Sequence, residues 1–331
     1  MTASLQTDTT HIAVSRPRAS RLPLVGLAVA LAALFVAAAI LDGPERVFAG
    51  DDWRGALAPP LTLLGLLIAG PWLGRSHKAL VTRFRTLASV DDATYAATVS
   101  RVPLPRRRRL VLALVIGVLF GAILSQGAPL RADLVWTGLL AVAGNVASAI
   151  VLVSIALDAY AATQVYAALL DLPLALDVFA LDRMDVFGQQ AVRVALVFPA
   201  FAAIRLALRP GPGELLLMGL PIALAIGIVM VSLFFLTLWH PHAVMAQLRH
   251  RELAAVRDEL SRLSTELAAG LSAGRANDMS ALAAVVTARI AYERRVLDTS
   301  EWPFDLETLR NLAVSASLPT AAMLARGYLF R

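Results

Sequence analysis

The chain has 331 residues, 58% of them hydrophobic and 16% charged, with a mean hydropathy of +0.69; ordinary soluble domains are about 45–50% apolar and about 25% charged. A water-soluble globular fold, a disordered chain and a collagen-like repeat are excluded because the apolar residues come in long unbroken runs, and the alternation of an outer-membrane barrel is absent. The net charge is +6 and there is no cysteine, which removes disulfides, thiolate nucleophiles, Fe–S clusters and cysteine zinc sites.

A membrane crossing needs about 20 apolar residues, since a helix rises about 1.5 Å per residue through about 30 Å of hydrocarbon. The sequence predicts six such spans, over 22–41, 56–73, 110–124, 134–157, 187–208 and 214–239. Reading the first as a cleaved signal peptide, with Val47, Phe48 and Ala49 as the cleavage site, is the second choice, because its apolar stretch exceeds the usual about 7–15 residues. Beyond spans two and four, the stretches 76–98 and 158–170 hold no Pro or Gly, so both helices are expected to run on out of the bilayer until Pro103 and Pro173 stop them.

Span three is the shortest and is expected to recruit the aliphatic stems of Arg108 and Arg109. Its Gly117 and Gly121 form a GxxxG, a helix-packing signal because small residues let two backbones approach. Span four carries Asn145, Ser148 and Ser154, read first as interhelical hydrogen-bonding glue and second as the lining of a polar path. Span five carries Arg193 and Arg205, about 18 Å apart along a helix. Snorkelling toward the two membrane faces is their first reading. The second is a pore or ion-pair role, in which they hold an anion or a carboxylate such as Asp158, with Pro199 kinking the helix between them.

Basic residues are retained on the cytoplasmic side. Arg16, Arg18 and Arg21 precede span one, and Arg75, Lys78, Arg83, Arg85, Arg101 and the run 106–109 follow span two, so both segments are placed inside. Asp42, Glu45, Asp51 and Asp52 between spans one and two mark the outside. Alternation then puts both termini in the cytoplasm. The segment 158–186 also falls inside, with five aspartates against Arg183; acidic residues weigh little in this rule. The high pI of about 10.4 is accounted for by topology and by attraction to anionic headgroups of the bilayer, with no need for nucleic acid.

After span six, His240, Pro241 and His242 read as its exit, placed at the interface and not as metal ligands. A soluble helix follows, with Val244, Leu248, Val256, Leu260, Leu263, Leu267 and Leu271 on one seam. Gly270, Gly274 and Asn277 make a turn, and a second helix over 278–297 offers Leu282, Val285, Val286, Ile290, Val296 and Leu297, so that Leu260 and Leu263 should meet Val286 and Ile290. Trp302, Pro303, Phe304 and Asp305 end the hairpin. The stretch 306–330 holds Pro319 in its apolar part and reads first as an amphipathic or half-inserted helix, second as a seventh span. The resulting organisation is all-α and polytopic: a tail over 1–21, a six-helix membrane domain over 22–239, a cytoplasmic antiparallel helical hairpin over 240–300, and a turn with a membrane-associated helix over 301–331.

The late section resembles an uncharacterised family of prokaryotic multi-pass membrane proteins: His242, a charged hairpin, Trp302, Pro303, Phe304, Asp305, then Thr308, Leu309, Leu318 and Pro319. The stretches Leu176, Asp177, Val178, Phe179 and Met184, Asp185, Val186, Phe187 are similar to another segment of that family. The resemblance covers about the second half and implies a prokaryotic cytoplasmic membrane, but no activity, cofactor or catalytic residue.

No HExxH, P-loop, GxGxxG or GxSxG is present, and no acid, base and nucleophile set is evident, so an enzyme and a cofactor are not expected. The expected function is that of a non-enzymatic membrane scaffold or signal-coupling protein, forming a homo-oligomer, with a cytoplasmic protein partner on the hairpin. The alternative is an ion or small-anion channel or transporter.

Overall fold

The computed structural model describes residues 22–49, 52–100, 105–125, 134–174, 178–179, 184–208, 220–273, 280–304, 307, 309–314 and 317. Among them the helices are α1 (Leu22–Asp42), α2 (Pro44–Phe48), α3 (Asp52–Phe84), α4 (Asp92–Ser100), α5 (Arg106–Ser125), α6 (Val135–Leu170), α7 (Asp185–Ala207), α8 (Leu220–Ser272) and α9 (Ser280–Leu297). Six of these, α1, α3, α5, α6, α7 and α8, are long and apolar enough to cross a membrane, so the all-α polytopic class stands. The bundle has an acidic end, marked by Asp42 and Glu45, and a basic end, marked by Arg75, Lys78 and Arg107–Arg109.

Helix α6 is the hub, packed on α1, α3, α4, α5 and α8, while α7 packs on α3 and α8. Small residues set the closest approaches. A Cβ on Gly117 would lie 2.5 Å from the Ile150 Cα, and one on Gly121 would lie 2.5 Å from the Val146 Cα, so the GxxxG of α5 seats on the backbone of α6. Gly144 plays the same part for α6 against Pro59 of α3. The faces of α1 and α5 turned away from α6 expose Val25, Val29, Ile40, Leu110, Leu114 and Leu119, the kind of surface that a bilayer covers.

At the acidic end, the chain reverses through Gly43, whose φ of 89° suits a residue without Cβ, directly after Asp42. The buried Asp42 carboxylate accepts hydrogen bonds from the Trp136 amide (3.0 Å), the Thr137 amide (2.7 Å) and the Thr137 hydroxyl (2.8 Å). Helix α6 has no side-chain cap of its own at Leu134. Asp42 therefore supplies, from another helix, the acceptor that the open amides of a helix start require.

The structure departs from expectation in three places. Helix α3 does not continue to residue 98. It ends at Phe84 because the next segment pairs elsewhere: the Ser89 amide donates to the Pro173 carbonyl at 2.8 Å and Ala88 bridges Leu174. Arg85 donates to the Ala88 and Val90 carbonyls and binds Asp92, fixing the turn, and the Tyr95 hydroxyl folds α4 back onto the Val81 carbonyl at 2.6 Å.

Second, the soluble helix that follows span six is not a separate element. Helix α8 runs unbroken through Pro241 to Ser272, with Leu238 and Met245 buried on either side of the proline. Packing on both sides offsets the cost of about 3 kcal/mol of an interior proline. Third, the hairpin seam is narrower than its sequence implies. Leu253, Val256, Leu263 and Val296 are buried, but Ile290 is 42% exposed, and Val285, Leu297 and Leu271 are exposed too. Polar pairs flank this apolar seam between α8 and α9: Arg257 with Glu293 (2.7 Å), Arg289 with Glu259 (2.9 Å) and Tyr292 with Glu252 (2.8 Å). The stretch 306–330, expected to be amphipathic or a seventh span, lies mostly outside the described residues; within it Leu312 packs against the core.

Candidate functional site: a polar cavity at the basic end

At the basic end an aromatic series crosses the bundle. Phe84 of α3 meets Phe187 of α7 edge-on at 5.6 Å, Phe187 meets Tyr166 of α6 at 5.5 Å, and Tyr166 meets His77 of α3 at 5.3 Å. Phe84, Phe187 and Tyr166 are buried. Edge-to-face rings pack rigidly, and they fix the spacing of α3, α6 and α7 where those helices leave their most apolar stretches. The Tyr166 hydroxyl and the His77 Nδ1 share a hydrogen bond of 2.8 Å.

On this frame stands a cavity of about 360 Å³. Leu73, Ile155, Val165 and Val194 give it apolar walls, and His77, Lys78, Arg109, Asp158, Tyr166, Gln190 and Thr237 give it polar ones. Arg109 donates from Nη1 to the Asp158 Oδ1 at 2.6 Å, and its Nε is buried with no hydrogen-bond partner. Gly74 also lines the cavity, and a Cβ added there would meet no atom within 4 Å. Its size falls within the range of about 300–1,000 Å³ typical of small-molecule pockets.

Arg193 stands beside the cavity. Its Nη1 donates to the Ser76 Oγ (2.5 Å), and Ser76 in turn donates to the Gln190 Oε1 (2.5 Å). It does not hold Asp158, as the ion-pair reading expected: the Asp158 carboxylate belongs to Arg109. Arg205 lies at the other end of α7, over the Phe201 ring, and donates to the Asn145 Oδ1 at 2.7 Å; Asn145 donates to the Ser125 Oγ at 3.2 Å. Ser148 donates to the Pro59 carbonyl at 3.1 Å, and Ser154 to the Ile150 carbonyl of its own helix at 2.9 Å. Asn145 and Ser148 thus join helices. The four residues proposed for a pore or ion-pair role form two separate groups at opposite ends, with Val194, Ala195, Val197, Phe198 and Phe201 buried between the two arginines.

A second constellation sits where the hairpin returns to the bundle. The His242 ring stacks on Trp302 at 3.9 Å with 8° between planes, and its Nδ1 pairs with the Glu301 carbonyl at 2.7 Å. Arg249 of α8 ion-pairs with Glu301 and donates to the Val296 and Leu297 carbonyls, the open end of α9. Trp302 and Phe304 pack on Phe235 and Phe234 of α8. The Pro303 carbonyl lies where a Cβ on Gly188 would sit 2.1 Å from it, so α7 must have glycine there. Asp305 lies outside the described residues. Phe179 stacks edge-on against Tyr292 of α9 at 5.4 Å, with the Arg295 guanidinium 4.5 Å from its centroid. The start of α7 and the turn at Trp302, Pro303 and Phe304 therefore meet in space at this junction. Among the described residues no group of three or more His, Asp or Glu is placed to hold a metal ion.

Sequence reasoning missed Asp42 as a cap, the Ser76 to Gln190 relay and Gly188. Each owes its role to a partner between 94 and 117 residues away or to a backbone contact, and no local spacing announces either. Comparison with family models, with curated proteins and with solved structures yields no match.

Proposed function

We propose that this chain is a non-enzymatic, oligomeric protein of a prokaryotic cytoplasmic membrane, with both termini in the cytoplasm, whose hairpin takes a cytoplasmic partner and passes that contact to the bundle. The observation that carries this reading is the junction at Trp302, Pro303 and Phe304. Helix α8 is shared by bundle and hairpin, and the far end of α9 is brought back onto α7 at Gly188 and onto α8 at His242 and Arg249. A hairpin held at both its ends moves with the helices that hold it. Its exposed Ile290 and Leu297, seven residues apart on one face of α9, offer a partner apolar area within a charged surface. The basic flanks support the orientation.

Hydrogen exchange on the full chain in nanodiscs tests the coupling. Trp302→Ala should raise exchange of the α7 amides around Gly188 by about tenfold while leaving α5 around Gly117 unchanged; unaltered α7 exchange would sink the reading. Reporter fusions after Ala128 and after Leu271 should report opposite compartments, outside and inside, and a common compartment would refute the orientation.

A further inference from the structure

We propose that the cavity at the basic end binds an anionic amphiphile, a phosphate-headed lipid taken from the bilayer, with its head on Arg109, Lys78 and Gln190 and its apolar body against Leu73, Ile155 and Val194. This inference stands apart from the coupling role of the hairpin.

The direction of the hydrogen bonds comes first. A guanidinium can only donate. Ser76 therefore accepts from Arg193, and its own proton goes to the Gln190 Oε1, which sets the Gln190 carbonyl oxygen toward Ser76. The Gln190 amide nitrogen, a double donor on a buried side chain that lines the cavity, is left with no partner among the described residues. Arg193 is thus a positioning residue: through Ser76 it decides which side of the amide the cavity sees.

Arg109 adds a second vacancy. Asp158 takes one of its nitrogens, and Nε is buried without an acceptor. Buried donors without partners are rare because each costs the desolvation of a polar group. Lys78, exposed at the mouth, has no carboxylate within salt-bridge distance among the described residues. Two cations thus face one carboxylate that is already engaged. The lining asks for an acceptor that carries negative charge, and a phosphate oxygen meets that need.

The remaining walls select the rest of the ligand. A bare inorganic anion would leave Leu73, Ile155, Val165 and Val194 uncovered, and a neutral amphiphile would leave Arg109 and Lys78 uncompensated. Basic pockets between spanning helices are established holders of anionic lipid head groups. A soluble phosphate ester offers the same head chemistry, so the test must separate the two sources.

Native mass spectrometry on the full chain in detergent provides the test, with dioleoyl phosphatidylglycerol, dioleoyl phosphatidylcholine and glycerol 3-phosphate as probes. Phosphatidylglycerol should be retained at least about tenfold more tightly than phosphatidylcholine. Lys78→Gln, at an exposed position, and Arg109→Gln should each weaken it about fivefold, the scale of one basic residue at an anionic surface. Gly74→Leu should fill the cavity and abolish retention with thermal unfolding unchanged, since its Cβ meets nothing within 4 Å. Ser76→Ala, which frees the Gln190 amide to turn, should weaken phosphatidylglycerol and leave phosphatidylcholine unaffected. Equal retention of the two lipids, or wild-type retention in a folded Gly74→Leu protein, would overturn the site. Glycerol 3-phosphate binding as tightly as phosphatidylglycerol would overturn the lipid as its source.

Discussion

At the acidic end of the bundle, Arg205 of α7 donates to Asn145 of α6, Asn145 donates to Ser125 of α5, and Ser125 ends on the Gly121 carbonyl at 2.7 Å. At the basic end, Arg193 of the same helix donates to Ser76 of α3 and Ser76 donates to Gln190, where the series stops at the edge of a cavity. The glycines follow suit: Gly121 and Gly117 press on the α6 backbone, whereas Gly74 faces open space. Like residue types, an arginine relayed through small polar side chains and a glycine on a helix face, close one end and leave the other hollow. What differs is where the relay terminates, on a backbone carbonyl or on a side-chain amide with donors to spare.

The comparison is broken most readily at the glycines. Gly121→Leu should cost about 3 kcal/mol or more, because the atom in the way is backbone and the helices must separate. Gly74→Leu should lie within about 0.5 kcal/mol of the parent in the same thermal melts in detergent. Equal losses at both would mean that the basic end is as tightly filled as the acidic one.

Caps come next. Asp42→Ala should cost about 2 kcal/mol, since it strips the acceptor from two amides at the start of α6, where no side-chain cap of the helix's own replaces it. Ser76→Ala should cost about 1 kcal/mol, since the partners it leaves can turn toward the cavity. Denaturant or thermal unfolding of the two variants side by side checks the order.

A double-mutant cycle between Arg205→Gln and Asn145→Ala should give a smaller coupling, about 0.6 kcal/mol, the mean for interhelical hydrogen bonds in a membrane. A coupling near zero would show that the acidic end is held by packing and the Asp42 cap alone.

The smallest effect is set by pH, at α4, whose Val99 lines the cavity. Hydrogen bonds from the Thr94 side chain and amide hold the Asp91 carboxyl below its ordinary value of 3.8. A depressed acid stabilises the fold above its ordinary pKa, and that contribution is lost as pH falls through the lower, folded value. Exchange of the α4 amides should therefore rise below about pH 3.8, and in Asp91→Asn that dependence should vanish.

The legible part of this molecule was whatever a single helix declares. Six apolar runs gave six spans, and the Gly117 and Gly121 spacing announced a close helix contact, though not that Ile150 and Val146 would be the surface met. That span six and the soluble helix after it would be one element was not legible, because proline cost is local, whereas the packing of Leu238 and Met245 that offsets it is not. The expected run of α3 to residue 98 failed for the like reason that Ser89 pairs with Pro173, a partner contributed by the end of α6. The cavity was illegible because α3, α4, α5, α6, α7 and α8 each lend it residues that look ordinary one helix at a time.

The unbroken course of α8 has a geometric consequence. The helix has 53 residues, about 80 Å of rise, and the part from His242 to Ser272 forms a stiff arm of about 45 Å. With its near end fixed at the Trp302 ring, a tilt of about 5° in the membrane portion would sweep the hairpin tip through about 4 Å, roughly three quarters of the pitch of one helical turn. Displacements too small to disturb side-chain packing beside the bilayer thus become, at the tip, large enough to change which surface a bound molecule meets.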